Sequence, residues 1–363
     1  MKRKSIWIAV GGSGGHIFPA QVCAQELKAL DPHLQLVFIG EGLKKNPFFD
    51  SSFGSFFDIS SSTFSLKTLW RSPQALFKIA KGLKQSRNLI KILQPDVVVG
   101  FGSFHSLPPL CAALLQRVPY VLFEPNCTLG RVNRLFAKKA SKLFFSLKEQ
   151  QHTAAEAVKM PLCPLRLEKL SKQEAKAFYG LDPTQPVILI FGGSQGALTM
   201  NHLALEALEM LGSQACGLQV LHFTGENTDK ELFQKRYAEL KITAHVRTFE
   251  EKMHRAYSAA DVAISRCGAS SAMELLEHQI PTIFIPYPFV EEDHQTKNAE
   301  FLKKHFGFGD IVHQDKQAVR NLADLLVSYL DPQKLSFCHN IGQKKLPSTK
   351  LSEAILQFAL KGE

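Results

Sequence analysis

The sequence lacks the features that mark secreted, zinc-binding and membrane-spanning proteins. Its seven cysteines form no C-x-x-C pair, so neither a disulfide framework nor a zinc knuckle is expected, and a reducing cytosol fits the chain. The basic segment 1–4 precedes an apolar run at 6–10 that is too short for a signal peptide. The stretch 97–116 carries no Lys, Arg, Asp or Glu, but glycines and prolines interrupt it. It predicts a strand, a loop and a buried helix instead of a membrane span.

Acidic residues are fewer than basic ones, with 33 Asp+Glu against 43 Lys+Arg and a net charge of +10. Such an excess favours an anionic partner, which can be nucleic acid, anionic lipid or a phosphorylated substrate. No nucleic-acid motif and no basic stripe interleaved with aromatics is present, so no nucleic-acid partner is expected. No D-x-D motif occurs either, and no metal or other cofactor is expected.

The basic excess is concentrated in residues 64–95, which hold seven basic residues and no acidic one. On a helical wheel for 72–93, the predicted core face consists of Leu76, Ile79, Ala80, Leu83 and Ile90. The opposite face presents Phe77, Lys78, Lys81 and Lys84, and Leu69 and Trp70 precede it. These residues suit contact with an anionic membrane surface. An ordinary solvated helix face is the alternative.

Two similar glycine-rich loops are the most informative feature that is present. Gly-Gly-Ser-Gly-Gly-His at 11–16 follows the apolar run 6–10, and Gly-Gly-Ser-Gln-Gly-Ala at 192–197 follows the run 187–191. In such loops the backbone N–H groups and the next helix N-terminus attract an anion. Their repetition indicates two related α/β domains that present their loops to a shared cleft.

Further β-like runs alternate with helix-like segments, which predicts an α/β protein with parallel sheets covered by helices on both faces. The runs lie at 34–39, 97–99, 120–123, 142–145, 220–223, 262–264 and 282–286. The proline-containing segment 161–166 suggests a crossing between domains. We therefore expect one domain at 1–164 and a second at 165–341. Ser171 and Glu174 form a capping-box pattern, and helical spacing in 348–360 predicts a final packed helix.

His16 and Glu274 are the strongest single candidates for chemistry. His16 should lie at the start of a helix, whose positive end favours the neutral imidazole that accepts a proton. It can equally brace the loop. Glu274 follows a strand and a small-residue turn, where Ser270 or Ser271 can cap a helix. Its carboxylate can bind ribose hydroxyls, or it can form a capping box with Ser271.

Residues 286–299 form a polar insertion after a strand. Gln295 and Asn298 are three residues apart and would share a helix face, from which their amides can bind sugar hydroxyls. Asp293 and His294 lack a third ligand at metal-like spacing, so a metal site is not expected here.

Six motifs together resemble the MurG family of N-acetylglucosaminyltransferases in their order and spacing. They are GGSGGH, FEPN, CPLR, GGSQGA, RCGASSAMEL and DHQTKNA. The resemblance spans nearly the whole chain. It implies the GT-B fold, with two Rossmann-like domains around a cleft and a C-terminal helix (342–363) that returns to the first domain. The first domain would bind the acceptor and the membrane, and the second would bind the UDP-sugar.

The resemblance also implies a set of binding residues for UDP-N-acetylglucosamine. They are Ser13, Gly14, Gly15, Asn126, Arg166, Ser194, Glu250, Ala269, Ser270, Ser271, Ala272, Met273, Glu274, Gln295 and Asn298. Arg166 and Ser194 would contact the diphosphate side, Glu274 the ribose, and Gln295 and Asn298 the sugar. Glu250 would contact uracil through its main chain only. His16 is the expected general base, with Glu124 in reserve.

Three departures from the family pattern lie in the first half. Phe123 replaces the His of a His-Glu-x-Asn motif. The loop usually reading Gly-x-Gly-Gly-Tyr is Gly100-Phe-Gly-Ser-Phe104, and Pro108-Pro109 replace a glycine-rich end. These changes concern acceptor binding and leave the donor site intact.

The resemblance implies an inverting transferase on the cytoplasmic face of the plasma membrane. N-acetylglucosamine would pass from UDP-N-acetylglucosamine to the muramoyl 4-hydroxyl of lipid I, and the product would be lipid II. Other cell-wall synthesis proteins are further candidate partners. The alternatives are a glycolipid synthase that uses diacylglycerol and a non-catalytic scaffold that binds sugar nucleotides.

Overall fold

The structure is a computed structural model that describes residues 3–63, 73–149, 155–193, 196–288, 293–331 and 346–361. The chain divides into two compact units. Unit 1 comprises Met1–Cys163 and Leu346–Glu363, and unit 2 comprises Pro164–Lys345. Each unit is an α/β domain built on one parallel sheet, as the alternation of strands and helices predicts.

Unit 1 contains seven strands in the order β3-β2-β1-β4-β5-β6-β7, all parallel. They are β1 (Ser5–Ala9), β2 (Gln35–Gly40), β3 (Ser55–Asp58), β4 (Val97–Gly100), β5 (Tyr120–Glu124), β6 (Lys142–Phe145) and β7 (Glu156–Ala157). The helices are α1 (Gly14–Leu30), α2 (Pro73–Leu93), α3 (Leu107–Leu115) and α4 (Arg131–Phe136). The strand order reverses between β1 and β4, so the loops after these two strands lie side by side, which is the usual place for a ligand in such sheets.

Unit 2 contains six parallel strands in the order β10-β9-β8-β11-β12-β13. They are β8 (Val187–Phe191), β9 (Gln219–Phe223), β10 (Thr243–Arg247), β11 (Val262–Ser265), β12 (Thr282–Phe284) and β13 (Asp310–Ile311). The helices are α5 (Pro164–Leu167), α6 (Lys172–Phe178), α7 (Leu198–Leu211), α8 (Lys230–Glu239), α9 (Met253–Ala259), α10 (Ala269–His278), α11 (His294–Phe306) and α12 (Ala318–Leu330). The core packs the sheet against α7 and α12 through side chains such as Ile190, Leu208 and Leu326. The order reverses between β8 and β11.

The chain ends in α13 (Leu351–Lys361), which confirms the predicted final helix. It lies in unit 1 and packs on α1. The Ser352 hydroxyl donates to Glu26 Oε2 at 2.8 Å, and Lys350 Nζ lies 3.2 Å from Glu26 Oε1. The capping box at Ser171 is also confirmed, since Ser171 Oγ accepts from Glu174 N at the start of α6.

All the predicted strands are present, and the four that the sequence did not predict are the four sheet edges. These are β3 and β7 in unit 1 and β10 and β13 in unit 2. Their residues are exposed or half-buried, whereas β1, β5, β8 and β9 are buried throughout. An edge strand is not enclosed by neighbours on both sides, so it needs no continuous apolar run.

Residues 97–116 form β4, a short turn and α3, which confirms the prediction of a strand, a loop and a buried helix. Among the described residues, no helix is both long and apolar enough to cross a membrane. Pro108 and Pro109 are buried in the first turn of α3, where proline removes no helical hydrogen bond.

The predicted core face of α2 is wrong in part. Leu76 is 44% exposed and Ala80 is exposed, while the buried residues are Ala75, Gly82, Ser86 and Ile90. The reason is close packing, because a Cβ atom on Gly82 would lie 1.7 Å from the Ser60 carbonyl oxygen. The face with the smallest side chains therefore packs closely against residue 60 and α3, and Leu76 lies at the surface.

Candidate active site

The first glycine loop joins β1 to α1 in unit 1. Ser13 is the N-cap of α1, and its carbonyl oxygen accepts from the N–H groups of His16 and Ile17 at 3.1 and 3.3 Å. Ser13 and Gly15 are exposed, and Gly14 is buried. A Cβ atom on Gly11 would lie 2.6 Å from the Cβ atom of His105, so glycine lets this loop pass close to the loop after β4. The exposed N-terminus of α1 suits an anionic or polar ligand.

His16 lies in the first turn of α1, as predicted. Its Nδ1 atom is 2.9 Å from the carbonyl oxygen of Phe101, in the loop after β4. A carbonyl oxygen can only accept, so Nδ1 carries the proton and Nε2 is the basic nitrogen of the neutral ring. This hydrogen bond fixes the orientation of the ring.

Glu124 ends β5 and is 2% exposed. Its Oε1 atom accepts from the backbone N–H and the side-chain amide of Asn126, at 3.2 and 2.9 Å. Its Oε2 atom accepts from Gly130 N and Asn133 Nδ2, both at 2.9 Å. A carboxylate offers about four lone-pair sites, and all are used. Glu124 therefore shapes the turn that carries Asn126.

In unit 2, the loop 266–268 joins β11 to α10. The N-cap is Gly268, and neither Ser270 nor Ser271 caps the helix. That expectation is wrong because the helix begins at Ala269, which places both serines, half-buried, in the first turn. Glu274 is the sixth residue of α10, so it forms no capping box with Ser271. Within residues 269–274, the buried residues are Ala269, Ala272, Met273 and Glu274.

The Glu274 carboxylate is 2% exposed and has two side-chain partners. Tyr257, in α9, donates its hydroxyl to Glu274 Oε2 at 2.6 Å. Arg166, in α5, places Nη1 at 3.3 and 3.4 Å from the two carboxylate oxygens. His278 Nε2 lies 2.8 Å from the Arg166 carbonyl oxygen, and burial lowers the pKa of that imidazole, so the neutral ring donates. Arg166 thus contacts the carboxylate expected to bind ribose.

Glu250 is 7% exposed and its side chain points into unit 2. Its Oε1 accepts from Lys252 N at 2.8 Å, and its Oε2 accepts from the Tyr179 hydroxyl at 3.2 Å. Burial raises the pKa of the Tyr179 phenol. The side chain is buried and bonded within unit 2, and the role of the Glu250 main chain toward a ligand stays a prediction.

Gln295 and Asn298 both lie on α11, as predicted. Gln295 Oε1 accepts from Tyr287 N at 3.0 Å, and Asn298 Nδ2 donates to the Cys267 carbonyl at 3.2 Å. The two amides therefore tie the start of α11 to the loops after β12 and β11. Arg266 supports the same region, because it donates to the carbonyls of Ile285 and Pro286 at 2.7 and 2.9 Å.

Ser194 of the second glycine loop, and Leu69 and Trp70 of the predicted membrane surface, lie outside the described residues. On the described part of that surface, Phe77 is 70% exposed, and Lys78, Lys81 and Lys84 are all exposed. Leu76 adds to the exposed apolar area. An aromatic and a leucine therefore stand beside three lysines on α2.

The structure adds three residues that the sequence patterns did not indicate, namely Tyr257, Asn133 and His278. One signal for Tyr257 was present in the sequence. It lies on a short helix just before a buried strand, which suggests that it is buried, and a buried tyrosine needs a hydrogen-bond partner. That signal does not name the partner, which is 17 residues further along the chain.

Comparison with known proteins identifies both domains of the chain. Models of the glycosyltransferase family 28 N-terminal and C-terminal domains match residues 6–145 and 187–355. A relative from Protochlamydia amoebophila is 38% identical over 303 residues, covering 82% of this chain and 80% of the relative. One from Chlamydia trachomatis serovar D is 34% identical over 335 residues, covering 91% of each. Both are named UDP-N-acetylglucosamine--N-acetylmuramyl-(pentapeptide) pyrophosphoryl-undecaprenol N-acetylglucosamine transferase.

Among solved structures, Acinetobacter baumannii MurG superposes with a TM-score of 0.77 at 24% identity, covering 99% of both chains. This likeness confirms the GT-B fold class that the sequence predicts. Together, the two domain models and the relatives show that the chain belongs to the MurG family of glycosyltransferases, within glycosyltransferase family 28.

Proposed function

We propose that this chain transfers N-acetylglucosamine from UDP-N-acetylglucosamine to N-acetylmuramyl-(pentapeptide) pyrophosphoryl-undecaprenol, which is lipid I. The product is lipid II. The observation that carries the proposal is the named activity of relatives that match 82% and 91% of the chain. The buried Glu274 carboxylate with its two side-chain donors supports it, because such a group suits a nucleotide ribose.

Unit 2 binds the donor in this proposal. Glu274 accepts from the ribose hydroxyls, and the main chain at Glu250 contacts uracil. The diphosphate lies at the first turn of α10, where the helix N–H groups and the helix dipole favour negative charge. Gln295 and Asn298 hold the sugar end of the donor, and Ser194 and Arg166 complete the site. In unit 1, Ser13, Gly14, Gly15 and Asn126 are the proposed ligands of the donor.

The chemistry is a single displacement with inversion. The 4-hydroxyl of the muramoyl unit attacks the anomeric carbon, the bond to the diphosphate breaks, and UDP leaves. The hydroxyl proton passes to Nε2 of His16, whose Nδ1 is held by the Phe101 carbonyl. The charge that develops on the leaving diphosphate is stabilised by helix N–H groups that are already oriented. Glu124 supports the turn and takes no proton, because its four acceptor sites are filled.

The lipid-linked acceptor requires contact with a membrane surface, and α2 provides a suitable face. Leu76 and Phe77 are exposed beside Lys78, Lys81 and Lys84. Exposed apolar side chains within a basic surface favour an anionic lipid interface. We therefore place the protein peripherally on the cytoplasmic face of the plasma membrane, where other cell-wall synthesis proteins are candidate partners.

An acceptor and donor competition tests the proposal. The full-length protein is incubated with labelled UDP-N-acetylglucosamine and either a lipid I analogue or diacylglycerol, in the same anionic micelles. Product is expected with the lipid I analogue only, and an excess of unlabelled UDP-glucose is expected to inhibit weakly. Transfer to diacylglycerol alone would assign a glycolipid synthase, and nucleotide binding without transfer to either acceptor would assign a scaffold.

A further inference from the structure

Tyr257 makes the shortest contact to the buried Glu274 carboxylate. Its hydroxyl lies 2.6 Å from Oε2, while Arg166 Nη1 lies 3.3 and 3.4 Å from the two oxygens. A short hydrogen bond to a carboxylate is stronger than a long one. Since a carboxylate has about four lone-pair sites, these two donors leave acceptor capacity for a ligand. Glu274 therefore differs from a carboxylate that only supports the fold.

The Tyr257 side chain is itself held in place. It is 2% exposed, and its ring packs at centroid distances of 5.9 Å from Phe191 and 5.0 Å from His278. Burial, with a further contribution from Glu274, raises the pKa of the phenol well above its ordinary value. The hydroxyl thus keeps its proton at physiological pH and remains the donor in this pair. A fixed donor determines how the carboxylate plane can rotate.

We propose that Tyr257 is a positioning residue for nucleotide binding, which orients the Glu274 carboxylate toward the ribose hydroxyls of the donor. The inference rests on the proposed function, because it takes Glu274 as the ribose ligand. Tyr257 acts through Glu274 and touches neither the sugar nor the reacting atoms. Without its hydroxyl, the carboxylate keeps only the longer contact with Arg166 and can turn away from the ribose.

Calorimetry on the full-length protein tests this role with three nucleotides: UDP, 2′-deoxy-UDP and 3′-deoxy-UDP. The wild type is expected to prefer UDP over the deoxy forms. Tyr257→Phe should weaken UDP binding about tenfold. This is the loss expected when the carboxylate of Glu274 loses one hydrogen bond that fixes its orientation. The same substitution should affect the deoxy-nucleotides much less, so the preference for UDP should shrink toward unity.

Tyr237→Phe is the matched control. Tyr237 is also fully buried in unit 2, and its hydroxyl lies 2.9 Å from His222 Nδ1. This control removes a phenol hydroxyl and a buried hydrogen bond in the core. It is expected to lower the thermal midpoint while it preserves the wild-type preference for UDP.

A second measurement separates positioning from a general loss of stability. In a Glu274→Gln background, adding Tyr257→Phe should leave the UDP preference unchanged, because the carboxylate that Tyr257 orients is already gone. The inference is overturned if Tyr257→Phe keeps the full wild-type preference, or if it weakens all three nucleotides equally. It is also overturned if the wild type binds UDP and the deoxy forms alike, which leaves the transferase proposal standing. Failure of the wild type to bind UDP at all would instead refute the proposed function.

Discussion

One buried glutamate from each unit, Glu124 and Glu274, has a different set of hydrogen-bond donors. Glu124 in unit 1 and Glu274 in unit 2 are both 2% exposed. The four donors to Glu124 are two backbone N–H groups and two asparagine amides within residues 126–133. The donors to Glu274 are side chains from two other helices, at Arg166 and Tyr257.

This difference separates a structural carboxylate from one that can serve a ligand. A carboxylate whose acceptor sites are all filled by its own turn stabilises that turn and has none left for a substrate. A carboxylate with fewer donors, held by side chains on separate elements, keeps acceptor capacity and a defined orientation. Burial alone does not distinguish the two, because it is equal in both.

The largest expected effect concerns the general base. In our proposal this base is His16, and neither Glu124 nor Glu274 takes the proton. His16→Ala should lower turnover by a factor of about 10²–10⁴, the usual contribution of a general base, while the affinity for UDP-N-acetylglucosamine stays the same. Turnover at saturating donor and calorimetric affinity are the two measurements. His33→Ala is the control, since His33 is an exposed histidine of the same unit. Unchanged turnover in His16→Ala would mean that this ring only braces the loop.

The next effect concerns the basic surface of α2 in unit 1, compared with a basic surface of unit 2. Changing Lys78, Lys81 and Lys84 to Glu should abolish flotation with anionic vesicles, because each lysine near the surface contributes about 1 kcal/mol of attraction. Binding of UDP-N-acetylglucosamine should not change.

The control for this surface is a triple substitution in unit 2 that changes the net charge by the same amount. It replaces Lys230, Lys235 and Lys241, which are exposed on or next to α8, with Glu. Flotation should survive in the control. If it survives in the α2 variant as well, the membrane surface lies elsewhere on the protein.

Removal of Glu274 tests the ligand side of the comparison. Glu274→Ala should weaken binding of UDP-N-acetylglucosamine by about 1–3 kcal/mol, since a charged hydrogen bond to the ribose is lost. Calorimetry measures this directly. A variant that loses thermal stability but binds the donor normally would make Glu274 a structural residue like Glu124.

Replacement of Glu124 tests the structural side. In Glu124→Gln, one amide NH₂ would face two donors, so the variant should lose about 1–3 kcal/mol of folding stability. Urea denaturation measures the loss. Donor affinity should remain close to wild type, and a large loss of affinity without a loss of stability would reverse the assignment.

The smallest expected effect lies in the loop after β4. Ser103 has φ +67° and ψ 152°, a conformation that costs a non-glycine residue on the order of 1 kcal/mol or more. Ser103→Gly should therefore raise the thermal midpoint, although Ser103 Oγ loses a weak bond from His105 N at 3.4 Å. A lower midpoint would mean that this bond outweighs the backbone strain.

The sequence predicted the interior of both sheets because interior strands are continuous apolar runs. It missed β3, β7, β10 and β13 because each is an edge strand with exposed or half-buried residues. The buried face of α2 was assigned partly wrongly for a related reason. Apolar periodicity selected Leu76 and Ala80, whereas the close approach of Gly82 to Ser60 decided the packing.

The candidate site was predictable in its positions but not in its contacts. Residue spacing left Glu274 as either a helix cap or a ligand for ribose. The capping box depends on where α10 begins, and the structure excludes it because the helix begins at Ala269, while the ribose contact stays a prediction. The hydrogen bond from Tyr257 to Glu274 joins α9 to α10, which are separated in the chain by β11. No local sequence pattern reveals it. The filled acceptor sites of Glu124 are likewise visible only in three dimensions.

The most direct test of the central claim is the linkage in the product made by the wild-type protein. UDP-N-acetylglucosamine carries an α linkage, so one displacement with His16 as the base must give a β linkage to the muramoyl 4-hydroxyl. Mass spectrometry and proton NMR of the product formed on a lipid I analogue determine both the added sugar and its anomeric configuration. A single added N-acetylglucosamine in β linkage is expected. An α-linked product, or no product on this acceptor, would contradict this expectation.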